Sequence, residues 1–113
     1  MQDDNPGRIE VNIYELAAFY RGIAEDDTKG TLERLNKHLE FATCVDNRGR
    51  NALMYALYAG SNGVVKALLN NNLIPPMAVD LDNMTAYDWA ILADNKVGQR
   101  LVERWVEQDD LGF

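Results

Sequence analysis

Histidine, cysteine and clustered carboxylates are the residues through which a chain of this kind would do chemistry, and the first two occur once each, as His38 and Cys44. Neither has a partner set. A single His cannot build a His-ligated metal site, and placed near the end of a helix it serves the C-terminal dipole or the surface. A single Cys forms no intramolecular disulfide and no Cys-rich zinc site. In the run Phe41-Ala42-Thr43-Cys44-Val45 its reading is a small buried apolar residue. Carboxylates number 18. Asp80 with Asp82 is the pair that could hold a metal, and Glu25, Asp26 and Asp27 form a run, but acids gathered in turns are mostly solvated or capping groups. No G-x-G-x-x-G, Walker loop, H-E-x-x-H or G-x-S-x-G occurs. The expectation is a non-enzyme with no catalytic residue, no cofactor and no metal.

Composition points the same way. The 113 residues suit one domain with its own core, and 47% hydrophobic with 26% charged residues is ordinary for a globular chain. A net charge of −7 argues against a general nucleic-acid binder or a binder of anionic membranes, and a basic partner fits it better. No apolar run approaches the roughly 20 residues that span a bilayer, and the polar start is not a secretion signal. The expected location is the cytosol.

Such residues need elements to position them, and the periodicity supplies only helices. Residues 1–10 read as a flexible acidic tail. Asn12 with Glu15 forms a capping box, Val11 staples onto Leu16, and a helix over 13–24 carries Ile13, Leu16, Ala17, Tyr20, Ile23 and Ala24 on one side. Phe19 falls at the margin of that stripe. After a Lys29-Gly30 turn, Thr31 caps a helix over 31–40 with Leu32, Leu35 and Leu39 buried. The last helix, 96–108, sets Val97, Leu101, Val102, Trp105 and Val106 against a polar side of Gln99, Arg100, Glu103, Arg104 and Glu107. Residues 109–113 read as a C-terminal tail.

Between these pairs stands the most informative stretch, Asp46 to Leu69. Asp46 and Gly49 suit a tight turn, Asn51 caps a helix, Gly60 ends it in a left-handed conformation, and Val64, Val65, Leu68 and Leu69 make one apolar stripe on a second helix. The pattern then recurs. Asp80 follows Asp46 by 80 − 46 = 34 residues, and Thr85, Ala86 and Ala90 follow Asn51, Ala52 and Ala56 at the same interval. Asn83 and Asp94 replace the two glycines, and both residue types tolerate positive φ. Thr85 with Asp88 is a further capping box, with Met84 and Trp89 placed to staple it.

Asp46, Gly49, Asn51, Ala52, Leu53, Ala56, Gly60, Val64, Val65, Leu68 and Leu69 together resemble one repeat of the ankyrin family. The resemblance covers roughly Val45 to Val106, with a degenerate helical pair in front. It departs where the family usually carries a His that hydrogen-bonds between repeats, because Met54 and Asp88 stand there. It implies an all-α stack of three helix-turn-helix repeats over 11–108, with turns projecting at 45–50 and 79–84. It also implies a non-catalytic surface that binds another protein through the turn tips and the exposed side of each first helix. By position the partner-binding residues would be Asn47, Arg48, Arg50, Tyr58, Leu81, Asp82, Met84 and Leu92, joined by Ala59 and Ala93. The small acidic chain suggests an inhibitor or immunity-type protein that blocks one partner. An adaptor subunit is the alternative, and a mimic of nucleic acid in a nuclease groove a lesser one. No direct nucleic acid or membrane contact is expected, and the chain should be a monomer or a weak homodimer.

Overall fold

Helix starts in this chain are set by side chains that accept a backbone N–H. Asn12, Asp27, Asn51 and Thr85 each accept one or two such bonds from the first turn that follows, and Asn95 accepts one from Gly98 at 3.0 Å. The computed structural model describes residues 12–111, with side chains to Gln108. Those residues hold six α-helices and no strand: α1 Ile13–Ala24, α2 Thr28–Lys37, α3 Ala52–Ala59, α4 Asn62–Asn71, α5 Ala86–Leu92 and α6 Lys96–Leu111, with a short 3-10 helix Leu39–Ala42 after α2. The all-α stack of helical pairs stands. The tail assigned to 1–10, the staple from Val11 and residues 112–113 lie outside the described residues.

Three pairs are built on one template. Asp26, Gly60 and Asp94 turn the chain from first helix to second at φ of 57°, 76° and 55°. They recur at 60 − 26 = 34 and 94 − 60 = 34 residues. The N–H groups of the residues that follow, Asp27, Ser61 and Asn95, return to the carbonyls of Gly22, Ala56 and Ala90 at 2.8, 3.0 and 2.8 Å. Each turn therefore satisfies a helix-end carbonyl in the same way. The N-terminal pair, legible beforehand only as periodicity, is thus a repeat in register with the other two. α1 packs on α2 and α3, α3 on α4 and α5, α5 on α6, and the second helices contact one another from α2 to α4 to α6.

Several helical details differ from expectation. α2 begins three residues earlier, because the Asp27 carboxylate accepts the Gly30 N–H at 3.0 Å; Lys29 and Gly30 lie inside the helix, and Thr31 is buried rather than capping. α2 ends at Lys37, so Leu39 falls in the 3-10 turn and is 59% exposed, while Phe41 takes the buried place. Phe41 packs on Phe19 with ring centroids 5.3 Å apart, and His38 stacks on its other side at 4.7 Å. Phe19 is therefore core, and the buried stripe of α1 is rotated towards it, leaving Ile13, Ala17 and Ala24 exposed. α6 runs three residues past its expected end, and Val97 faces outward instead of lining the core.

The core lies where the pairs meet. Leu53, Met54, Leu57, Val64, Val65 and Leu68 are almost wholly buried. The repeats are joined by polar links that need no His at position 54 or 88. Asp26 accepts the Val64 N–H at 2.9 Å, capping α4 from the preceding repeat; Ser61, which precedes α4, makes no side-chain cap. Asn95 donates to the Leu57 carbonyl and the Asn62 side chain, both at 2.9 Å, and the Trp105 indole donates to the Leu69 carbonyl at 3.1 Å.

Candidate functional site

Two projecting turns share one hydrogen-bond plan. One oxygen of Asp46 accepts the N–H groups of Arg48 and Arg50, each at 2.9 Å. Asp80 does the same for Asp82 and Met84, again at 2.9 Å. The second oxygen reaches the aromatic residue nine positions on: Asp46 accepts from the Tyr55 hydroxyl at 2.5 Å and Asp80 from the Trp89 indole at 2.9 Å. Gly49 and Asn83 close the turns at φ of 76° and 61°. The Leu81 N–H bonds to the Arg48 carbonyl at 2.9 Å, so one turn is registered against the next. Both oxygens of Asp80 are thereby occupied, and the metal reading of Asp80 with Asp82 has no support. Among the described residues no group of three or more His, Cys, Asp or Glu side chains could hold a metal ion.

These bonds set the charge. Burial at Asp46 opposes ionisation, but hydrogen bonds from Tyr55, from Arg50 and from the Arg48 N–H outweigh it and hold the carboxyl well below the usual range. At Asp80 the same opposition from burial is overcome by Met84, Trp89 and Asp82, with the Arg48 charge assisting. Both turn acids are therefore fixed anions.

The residues expected to touch a partner separate into two groups. Asn47, Arg48, Leu81 and Asp82 are exposed at the turn tips, where Arg48 and Asp82 pair at 2.6 Å. Leu81 is 76% exposed, and Tyr58 and Leu92 on the first helices are 55% and 62% exposed. Ala59 is open as well. Arg50, Met84 and Ala93 are half-buried, and for Arg50 the reason is structural. Its Nε donates to Asp46 at 2.6 Å and its guanidinium lies 5.5 Å from the Tyr55 ring centre and 5.8 Å from that of Trp89. Arg50 is a strut between two repeats, not a free charge at a turn tip.

Around that strut lies a cleft of about 300 Å³ between α3 and α5, walled by Met54, Tyr55, Tyr58 and Trp89. Tyr58 meets Trp89 edge-on, with centroids 5.4 Å apart. Tyr20 stands on Tyr55 in the same manner at 5.1 Å, so aromatic rings run across the face made by α1, α3 and α5. Burial, then Cys44, Tyr55 and Asp46 nearby, push the Tyr20 hydroxyl pKa up. Tyr20, Tyr55 and Trp89 were not among the expected contacts. The signal that carries two of them is the recurrence of an aromatic N–H or O–H donor nine residues after each turn Asp.

Cys44 is half-buried rather than wholly so, and burial followed by Glu40 pushes its thiol pKa up, which makes it a poor nucleophile. His38 lies 3.6 Å from Glu15 and 3.5 Å from Glu40 while stacked on Phe41, a structural place beside the end of α2. No helix of the described residues is long and apolar enough to cross a membrane.

No curated protein matches the chain. A family model described as ankyrin repeats (3 copies) matches residues 22–110, reaching back into α1 and so taking in the first pair of helices as well as the two with legible turns. With that match, three turns at one 34-residue interval and six helices stacked in pairs, the chain belongs to the ankyrin repeat family and is a protein–protein interaction module of a kind that generally has no catalytic role.

Proposed function

We propose that the chain is a small acidic inhibitor or immunity-type protein that binds one partner protein through the turn tips and the face of α1, α3 and α5, and blocks it. The observation that carries this reading is the cleft at Trp89: an aromatic floor, an Arg held over it and exposed Tyr58 at its lip. Interfaces are anchored by Tyr, Trp and Arg in such settings, with a polar rim around them. Asn47, Arg48, Leu81 and Asp82 form that rim, and Leu92 extends it along α5. The net charge of −7 favours a basic partner.

Capture of a partner from source cells, followed by calorimetry with variants, tests the surface. Tyr58→Ala should weaken binding by roughly tenfold or more, as truncation of an anchoring aromatic does, with the thermal transition unchanged. Retained affinity in that variant places the interface elsewhere. Blocking is tested separately by assaying the partner's activity with and without saturating protein. Loss of that activity supports inhibition; full activity in a stable complex supports the adaptor.

A further inference from the structure

A larger cleft, of about 430 Å³, opens between α1, α3 and the segment leading into the first projecting turn. Leu16, Tyr20, Val45 and Tyr55 wall it, and Ala24 and Ala59 lie at its edge. Its size is at the small end of ligand pockets, enough for one large side chain with the backbone that carries it.

The repeat register explains why it is open. Tyr58 packs edge-on against Trp89 in the gap between α3 and α5. One repeat earlier, 34 residues back, those two positions are Ala24 and Tyr55. The counterpart of Trp89 is present and the ring that should lie against it is missing. Ala24 is exposed and adds one methyl group where Tyr58 adds a phenol. The rest of the gap is apolar, so a ring entering it would exchange water for carbon on several sides.

Charge around the cleft indicates what carries that ring. Glu25 follows Ala24 at the end of α1, and Glu40 is close enough to act on the Cys44 thiol at the wall. Asp46, also in the wall, is matched by Arg50. Beside Tyr20 on α1 stands one base, Arg21. Carboxylates thus border an apolar socket in a chain of net charge −7.

Resting on the reading of this face as a protein-binding surface, we propose that the cleft receives an aromatic side chain from a basic segment of the partner, the ring lying against Tyr55 as Tyr58 lies against Trp89. The protein uses its own tyrosine at one repeat junction and takes the partner's ring at the other. Pocket shape selects the aromatic residue, and the bordering acids select basic neighbours.

Short acetylated peptides are the probes: Gly-Lys-Lys-Phe-Lys-Gly, the same peptide with Ala for Phe, and the same peptide with Glu for each Lys. Two readouts are amide chemical shifts and the rate at which iodoacetamide alkylates Cys44, which lines the cleft. The Lys-Phe peptide should shift amides about Tyr20, Val45 and Tyr55 and slow alkylation at least tenfold at saturation; neither control should. Ala24→Tyr, which rebuilds the missing ring in cis, should abolish both effects while the fold is retained. Absence of any effect of the Lys-Phe peptide on the unaltered protein, or equal protection by the Ala peptide, overturns the proposal without relying on a variant. Shifts confined to Tyr58 and Trp89 overturn it too, yet leave the binding face standing. A full-length partner that binds Ala24→Tyr and Tyr58→Ala as tightly as the unaltered protein removes the binding face itself.

Discussion

Asp46 does more with four atoms than any other side chain in the molecule. Its two oxygens hold two backbone N–H groups, a guanidinium and a phenol, and removing it leaves those donors without their acceptor. Asp46→Ala should therefore cost about 1–3 kcal/mol, measured by urea denaturation. The same acids give a pH signature whose sign is fixed. An Asp in the unfolded chain titrates near ~3.9, whereas Asp46 and Asp80 are held lower in the fold. Between those values the unfolded state binds more protons, so their contribution is complete above about pH 5 and is lost as pH falls through the lowered folded values. Melting temperature measured from pH 7 to pH 3 should fall on the acid side, and less so in Asp46→Asn, which has no carboxylate to protonate at that position. Arg48 is the contrasting case. Its exposed pair with Asp82 is worth at most about 1 kcal/mol, so Arg48→Glu should leave stability nearly unchanged and report only on binding. The turn acids were legible because Asp and Gly three apart declare a turn by themselves. Arg50 was misjudged as a free contact for a plain reason: turn position fixes where the Cα sits, whereas its burial depends on two aromatic rings from different helices.

At the level of elements, what held was what is local. Asn12, Asn51 and the Thr85–Asp88 box cap their helices as their types and spacing dictate, and Asn83 and Asp94 take positive φ where glycine was absent. The failures cluster in the first repeat. Asp27 and Thr31 were both good caps for α2 by type, and the choice between them was made by the contact of α2 with α1. That contact is close at Gly22, where a Cβ would come within 2.8 Å of the Thr31 hydroxyl oxygen. Both residues are buried, so Gly22→Ala should cost about 1–3 kcal/mol through overpacking although alanine favours a helix. A melting curve equal to or above that of the unaltered protein would show that α1 and α2 can separate freely. α4 supplies a second element-level prediction, because its N–H group at Val64 is satisfied by Asp26 of the repeat before it. Asp26→Gly keeps the left-handed turn and removes the acceptor, and should cost about 1 kcal/mol; Asp26→Asn keeps both and should be close to neutral. No sequence window around α4 contains that cap, which lies 38 residues away.

Across the whole molecule, stability resides in the junctions between repeats, and each side of the middle repeat depends on a neighbour. Leu57 is fully buried, with its carbonyl bound by Asn95 and its side chain against Gly98. Ile91, at the same place one repeat later, is 52% exposed. Burial at this position is therefore conferred by the next repeat and not by the residue's own pair of helices. Removing residues 79–113 would strip α5 and α6 from Leu57, take the indole of Trp105 from the Leu69 carbonyl and leave the middle repeat as exposed as the last one is now. A short array has no interior repeats to spare, since about three are needed to bury a continuous core. Its energy is a sum of weak repeat terms and favourable junction terms. The intact chain should accordingly unfold in one transition by circular dichroism and by tryptophan fluorescence, with coincident midpoints. Leu68→Ala, at a site 1% exposed between the pairs, should lower that single transition by about 2–5 kcal/mol without splitting it. The fragment 1–78 should show no cooperative transition and amide exchange close to that of an unfolded chain. A sharp transition in that fragment would mean that two repeats carry their own core, and that the junction with α5 and α6 serves the binding face more than the fold.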